Sequence, residues 1–222
     1  MGKLLVIDGL DGSGKGTITG MLTRYLTEKN MCVKGISFPM YGTKGATLVE
    51  MYLGGELGSK GEDTNCYTAS TFFAMDRYIS YKTSWGEFLM RDDAIIIADR
   101  YTTANAVHQL QKLPKEEWDG FLEWLFDFEY GKLGLPVPDK TIYLRMPPQI
   151  SMKLIAKRSK ETGRVQDIHE KDPTHLYKAY EAALYAADKL GWNTVDSFVG
   201  DEPRNLDLVF KDVLEICGFD KL

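Results

Sequence analysis

The sequence predicts an α/β protein, a parallel five-stranded sheet flanked by helices. Three observations carry that expectation. Short apolar runs alternate with helical patterns along the whole chain, the order that builds a parallel sheet with helices on both faces. Ala94-Ile95-Ile96-Ile97-Ala98 is apolar without interruption, as in a strand covered on both sides. Leu4-Leu5-Val6-Ile7 runs into a glycine-rich loop that opens a helix, and strand, loop and helix in that order form a phosphate cradle. At 222 residues the chain reads as one domain over 1–222.

The elements follow in order. The first strand is 4–7, and the helix after the loop has apolar residues at Ile18, Met21, Leu22, Tyr25 and Leu26. A second strand over 31–38 is stopped by Phe38-Pro39. Residues 40–63 are glycine-rich, with a short amphipathic helix over 46–53. A long helix is expected over 65–90, its apolar content supplied by Phe72, Phe73, Met75, Tyr78 and Ile79. The third strand, 94–98, ends at Asp99-Arg100-Tyr101, and ligands bind at such carboxyl ends in open α/β sheets. Helices over 103–112 and 115–130 lead to a loop over 131–138 and a fourth strand over 141–144. Pro148 suits the first position of a helix running to about Arg158. The charged run 157–172 precedes a helix over 173–190, a fifth strand over 192–195 and a closing amphipathic helix over 203–217.

Composition narrows the function. A net charge of −5 argues against nucleic acid as a bulk partner while leaving room for a local basic site for small phosphates. Cys32, Cys66 and Cys217 form no CxxC, which speaks against a disulfide framework or zinc knuckle and suits a reducing cytosol. The first strand starts too early for a signal peptide to be expected, and no apolar run approaches a membrane span.

Gly9-x4-Gly14-Lys15 has P-loop spacing. Glycines let successive N–H groups point at one anion, the following helix adds its positive end, and Lys15 reaches the terminal phosphates. The candidate phosphate-binding residues are Gly9, Asp11, Gly12, Ser13, Gly14, Lys15, Gly16 and Thr17. The slot after the lysine, Ser or Thr in the motif, is Gly16, and the hydroxyl comes at Thr17. Asp11 cannot bind phosphate directly, because like charges repel; as a residue it reads equally as a turn aspartate.

With these motifs, the chain resembles the thymidylate kinase family nearly end to end. The resemblance rests on DGLDGSGKGT, Phe38-Pro39, Phe73-x-x-x-Arg77, Asp99-Arg100-Tyr101, the junction at Met146-Pro147-Pro148 and the basic run after it. It implies a P-loop kinase fold with a mobile basic lid at about 157–172. It implies phosphoryl transfer from ATP to dTMP giving ADP and dTDP, Mg2+-dependent, in deoxynucleotide biosynthesis, by a cytoplasmic homodimer packed through 65–90 or the segments near 106–125.

The resemblance also implies roles. Phe38, Phe73, Arg77, Arg100, Asn105 and Gln109 would bind the acceptor, with Phe73 stacking on the base and Arg77 donating to a base carbonyl. As residues alone, Phe73 reads rather as a core phenylalanine, since one of the Phe72-Phe73 pair should face inward, and Arg77 as a surface ion pair, with Asp76 the candidate partner. Asp11 would accept from the acceptor's 3′-hydroxyl. Asp99 would help hold Mg2+, through water, and Lys15 and Arg100 would act in transfer. Some family members carry a basic residue in the loop; here that position is Gly12, so Arg158 and Arg164 of the lid are the candidates, with Lys157 and Lys160 weaker. Met40-Tyr41 stand where the family has an arginine for the acceptor phosphate, and His108, in place of an aromatic, reads as a structural histidine. A kinase for another nucleoside monophosphate or a deoxynucleoside is the alternative activity. A nucleotide switch is the alternative class, though no Asn-Lys-x-Asp motif is present.

Overall fold

A computed structural model of the chain describes residues 1–58, 60–162 and 173–221. Strands β1 (Lys3–Gly9), β2 (Cys32–Ser37), β3 (Ala94–Asp99), β4 (Lys140–Arg145) and β5 (Asn193–Asp196) form one parallel sheet in the order β2-β3-β1-β4-β5. The register sets Ile7 beside Asp99, Ser37 beside Asp99, and Gly9 beside Leu144. β1 and β3 are thus sheet neighbours though far apart in sequence, and their carboxyl ends open together.

Successive residues of a strand face opposite sides, so each strand feeds two cores. On one side Leu5, Ile7, Ile95, Ile97, Ile142 and Leu144 meet Ile18, Leu22 and Leu26 of α1 (Lys15–Glu28). Val209 and Val213 of α9 (Leu206–Cys217) close that layer. On the other side Leu4, Val6, Ile96 and Ala98 pack on Trp85, Leu89 and Tyr101. Between these lie α2 (Thr47–Gly54), α3 (Cys66–Ser80), α4 (Gly86–Leu89), α5 (Thr102–His108), α6 (Trp118–Phe126), α7 (Pro148–Thr162) and α8 (Pro173–Lys189). The five-stranded parallel sheet with helices on both faces is the fold expected from sequence. No helix among the described residues is long and apolar enough to cross a membrane.

Some boundaries need correction. The helix expected over 65–90 is α3, a π-helical stretch at Tyr81–Trp85, then α4. A Cβ on Gly86 would lie 2.4 Å from Tyr81 O, so the wide turn needs glycine there. The wide turn buries Trp85, whose Nε1 donates to Ser80 Oγ at 3.1 Å. The helix expected over 115–130 likewise ends in a π-helical stretch, Asp127–Lys132, which takes up the start of the expected loop. The closing helix does not begin at 203. A hairpin, β6 (Phe198–Val199) and β7 (Glu202–Pro203), comes first, and Asn205 caps α9 by accepting from Asp207 N at 2.7 Å. α7 runs past Arg158 into the segment expected to be lid.

Candidate active site

β1 delivers the chain at Gly9, where a Cβ would lie 2.6 Å from Ser13 Oγ and 2.7 Å from Leu144 O. Gly9 therefore serves the turn and does not itself line the cavity. Gly14 takes the left-handed conformation, φ 90°, as the N-cap of α1. Ile18 N donates to Gly14 O at 2.9 Å, so the N–H groups of Lys15, Gly16 and Thr17 have no partner within the helix. Open N–H groups at a helix N-terminus are suited to an anion.

Around this loop the charges are interlocked. Lys15 Nζ donates to Leu10 O at 3.3 Å and to Asp11 Oδ1 at 3.1 Å. Arg100 Nη2 donates to the same Asp11 oxygen at 2.7 Å. Asp11 lies in the turn closed by Ser13 N donating to Leu10 O at 3.1 Å, and its carboxylate is clamped between two cations. Burial works against its ionisation, but Arg100 and then Lys15 overcome that and hold its carboxyl well below the usual range. Arg100 has φ 67°, an uncommon conformation for a residue with a side chain, held by its N–H donating to Ile7 O at 3.0 Å. Its Nε is buried without a hydrogen-bond partner among the described residues.

Asp99 ends β3 against the start of α1. A Cβ at Gly16 would lie 3.1 Å from Asp99 Oδ2, so glycine at this slot lets the carboxylate approach the helix. Gly12, φ 83°, faces α7: its Cβ would lie 3.0 Å from Ser151 O, and Ser151 Oγ donates to Asp11 O. A side chain at position 12 would be crowded by α7 and strained by the left-handed backbone. Asp8, which sequence reasoning passed over, is fully buried and accepts from Gly9 N at 2.8 Å and Thr103 Oγ1 at 2.5 Å. Burial raises its pKa, opposed by Arg100.

The loop opens into a cavity of about 660 Å³ that also takes in Phe38, Phe73, Arg77, Asp99, Arg100, Asn105, Gln109 and Arg158. Phe73 lines it while meeting Tyr52 edge-on, centroids 6.1 Å apart; Phe72 also packs on Tyr52, centroids 6.3 Å apart, without lining the cavity. Arg77 reaches the cavity wall though only 1% exposed. Its ion pair is with Glu129, at 2.7 Å from Nε and 2.5 Å from Nη2, and not with Asp76, which accepts from Met40 N. Gln109 is fully buried, and neither its Oε1 nor its Nε2 has a hydrogen-bond partner among the described residues. Gln109 borders the cavity, and a buried amide without a partner is an exception that calls for an explanation. Tyr41 stands at the mouth, 56% exposed. Arg164 lies outside the described residues.

Sequence reasoning also missed Glu129, Thr102, Ser151 and the far end of the cavity at Ser197, Pro203, Arg204 and Leu206. Glu129 carried a signal: it continues the buried stripe Leu122–Leu125 of α6 at helical spacing. Arg204 carried none. Its position comes from the hairpin, where its N–H donates to Ser197 O at 2.9 Å.

A glycine loop with P-loop spacing at the carboxyl end of a parallel sheet, opening into one cavity, defines the class of P-loop folds. Comparison with known proteins narrows this class. A family model described as thymidylate kinase matches residues 7–198. The thymidylate kinase of Mycobacterium tuberculosis is 31% identical over 175 residues, covering 76% of this chain and 78% of that protein. A probable thymidylate kinase of Staphylothermus marinus is 30% identical over 216 residues, 97% of this chain and 94% of that one. A solved thymidylate kinase from Candida albicans shares the fold with TM-score 0.70 at 22% identity, over 99% of this chain and 92% of that one. The chain belongs to the thymidylate kinase family, and it is an enzyme of that family.

Proposed function

We propose that the chain transfers the γ-phosphoryl group of ATP to dTMP, giving ADP and dTDP for deoxynucleotide synthesis, with Mg2+. The observation that carries this reading is a single cavity with the phosphate loop on one side and Phe73, Arg77, Asn105 and Gln109 on the other. The loop N–H groups and Lys15 hold the donor phosphates, and the cavity's extension to Arg204 and Leu206 receives the donor's nucleoside end. Phe73 offers a ring face to the acceptor base.

Arg100 and Lys15, paired through Asp11, sit where negative charge gathers during transfer. Arg158 adds positive charge from α7. The attacking acceptor oxygen is already anionic, so positioning and charge stabilisation carry the chemistry and no strong base is needed. Asp99 Oδ1 is buried without a hydrogen-bond partner among the described residues, which fits a carboxylate that holds a metal ion or its water. Mg2+ bound there would neutralise phosphate charge. Asp11, which lines the cavity beside both cations, would accept from the acceptor's 3′-hydroxyl. Tyr41 replaces the family's arginine at the mouth, which leaves Arg100 to grip the acceptor phosphate.

We further read the enzyme as a cytoplasmic homodimer, as the resemblance implies. The free thiols of Cys32, Cys66 and Cys217 suit a reducing compartment. Light scattering that finds only monomer at micromolar concentration would overturn the dimer.

An acceptor panel with ATP and Mg2+, scored by kcat/KM and product mass, tests the activity. We expect dTMP to lead and dTDP to form. Preference for an unphosphorylated nucleoside, or nucleotide binding with no product, defeats the reading. Lys15→Ala should lower kcat by about 100-fold or more with the fold intact by circular dichroism.

A further inference from the structure

Resting on the acceptor wall just described, we propose that Glu129 is the positioning residue that sets which edge of a pyrimidine the enzyme accepts. Glu129 is fully buried and does not itself line the cavity. Its carboxylate receives four hydrogen bonds: Arg77 Nε at 2.7 Å, Arg77 Nη2 at 2.5 Å, Thr102 Oγ1 at 2.7 Å and Asn105 Nδ2 at 3.2 Å. An ionised carboxylate has about four acceptor sites, so this one is saturated. Two of its partner residues, Arg77 and Asn105, line the cavity.

The bond to Asn105, together with one to Ser70, decides how that amide points. Its Nδ2 donates to Glu129 Oε1 and, at 3.3 Å, to Ser70 O, which uses both amide hydrogens. Flipping the amide would set its oxygen against a carboxylate and a carbonyl, two acceptor–acceptor contacts in a buried place. Asn105 Oδ1 is therefore held as a hydrogen-bond acceptor on the cavity side. Arg77 is held as a donor: Nε, Nη1 and Nη2 each bond protein oxygens, with Nη1 reaching Tyr101 O at 3.2 Å, and each terminal nitrogen keeps one further hydrogen.

One acceptor beside one donor matches a ring N–H next to a carbonyl, the imide edge of thymine or uracil. Cytosine presents a ring-nitrogen acceptor next to an amino donor, and in the same pose both contacts turn repulsive. Glu129 thus writes a base preference into two residues without touching the base. The amide could not hold this polarity on its own, because Asn flips cost little unless neighbours oppose them.

Glu129→Gln tests this. The side chain keeps its size, but its new N–H₂ must face a donor that the carboxylate accepted. The expected result is a rise in KM for dTMP and a fall in the dTMP/dCMP ratio of kcat/KM, each about tenfold or more, with KM for ATP unchanged. A merely structural glutamate would lower the melting temperature and leave that ratio alone, and an unchanged ratio overturns the proposal. If Glu129→Gln does not fold, Thr102→Val decides. It removes one donor to Glu129 without touching Arg77 or Asn105, and should shift the ratio in the same direction by about two- to threefold; no shift overturns the proposal.

A wild-type arm separates this inference from the activity beneath it. N3-methylated dTMP, which lacks the ring N–H, should be a poorer acceptor than dTMP by on the order of 100-fold. Equal use of the two defeats the edge reading alone. Failure of the wild type on every nucleoside monophosphate defeats the proposed function instead.

Discussion

Asp11 shares one carboxylate oxygen between Lys15 and Arg100, and this gives it a pH signature. Its folded pKa lies well below the ordinary 3.8, so the unfolded chain binds the proton more readily. The stabilisation it brings is present above 3.8 and fades as pH falls toward the folded value. Denaturant melts of wild type and Asp11→Asn should therefore differ most near neutrality, with the gap narrowing below about pH 4. A gap that widens in acid would show that the two cations do not hold the carboxylate. At this scale the sequence was most readable in the phosphate loop, because spacing, glycines and lysine are neighbours in the chain. Glu129 and Arg77 are 52 residues apart, and nothing local in either one names the other. Gly12 is a third case. Its identity pointed to a missing cation, while its physical reason, the close approach of Ser151 on α7, needed the folded chain.

The two π-helical stretches are the elements that the sequence hid. A wide turn keeps helical composition and leaves no period of its own, so 65–90 read as one helix. Gly86 is the local price of the first of these turns. Gly86→Ala should destabilise the protein by about 1–3 kcal/mol in urea melts, since the new Cβ has backbone 2.4 Å away. Unchanged stability would mean that the turn relaxes to a regular helix at no cost. The second stretch has a functional consequence. Asp127–Lys132 carries Glu129 and Tyr130 inward, and Glu129 there meets Arg77, Thr102 and Asn105 from two other helices.

At the scale of the whole molecule, the sheet order brings the ends of β1 and β3 side by side, and the cavity forms where their loops diverge. Ile97 lies at the centre of β3, fully buried between α1 and its strand neighbours. Ile97→Ala should cost about 2–5 kcal/mol, read by thermal or denaturant unfolding, and a smaller loss would mean that the layer collapses around the gap. That cost belongs to the fold and should leave the dTMP/dCMP preference unmoved in whatever fraction stays folded.

Alternation of strand and helix, the buried third strand and the phosphate loop could all be read from the chain, because each depends on residues close together in sequence. The polarity of the acceptor wall could not. Asn105 Nδ2 and the Arg77 guanidinium both donate to Glu129 only because packing brings α3, α5 and the stretch after α6 together around it. Burial removes water as an alternative partner, so the neighbours that packing supplies decide what each polar group has left to offer.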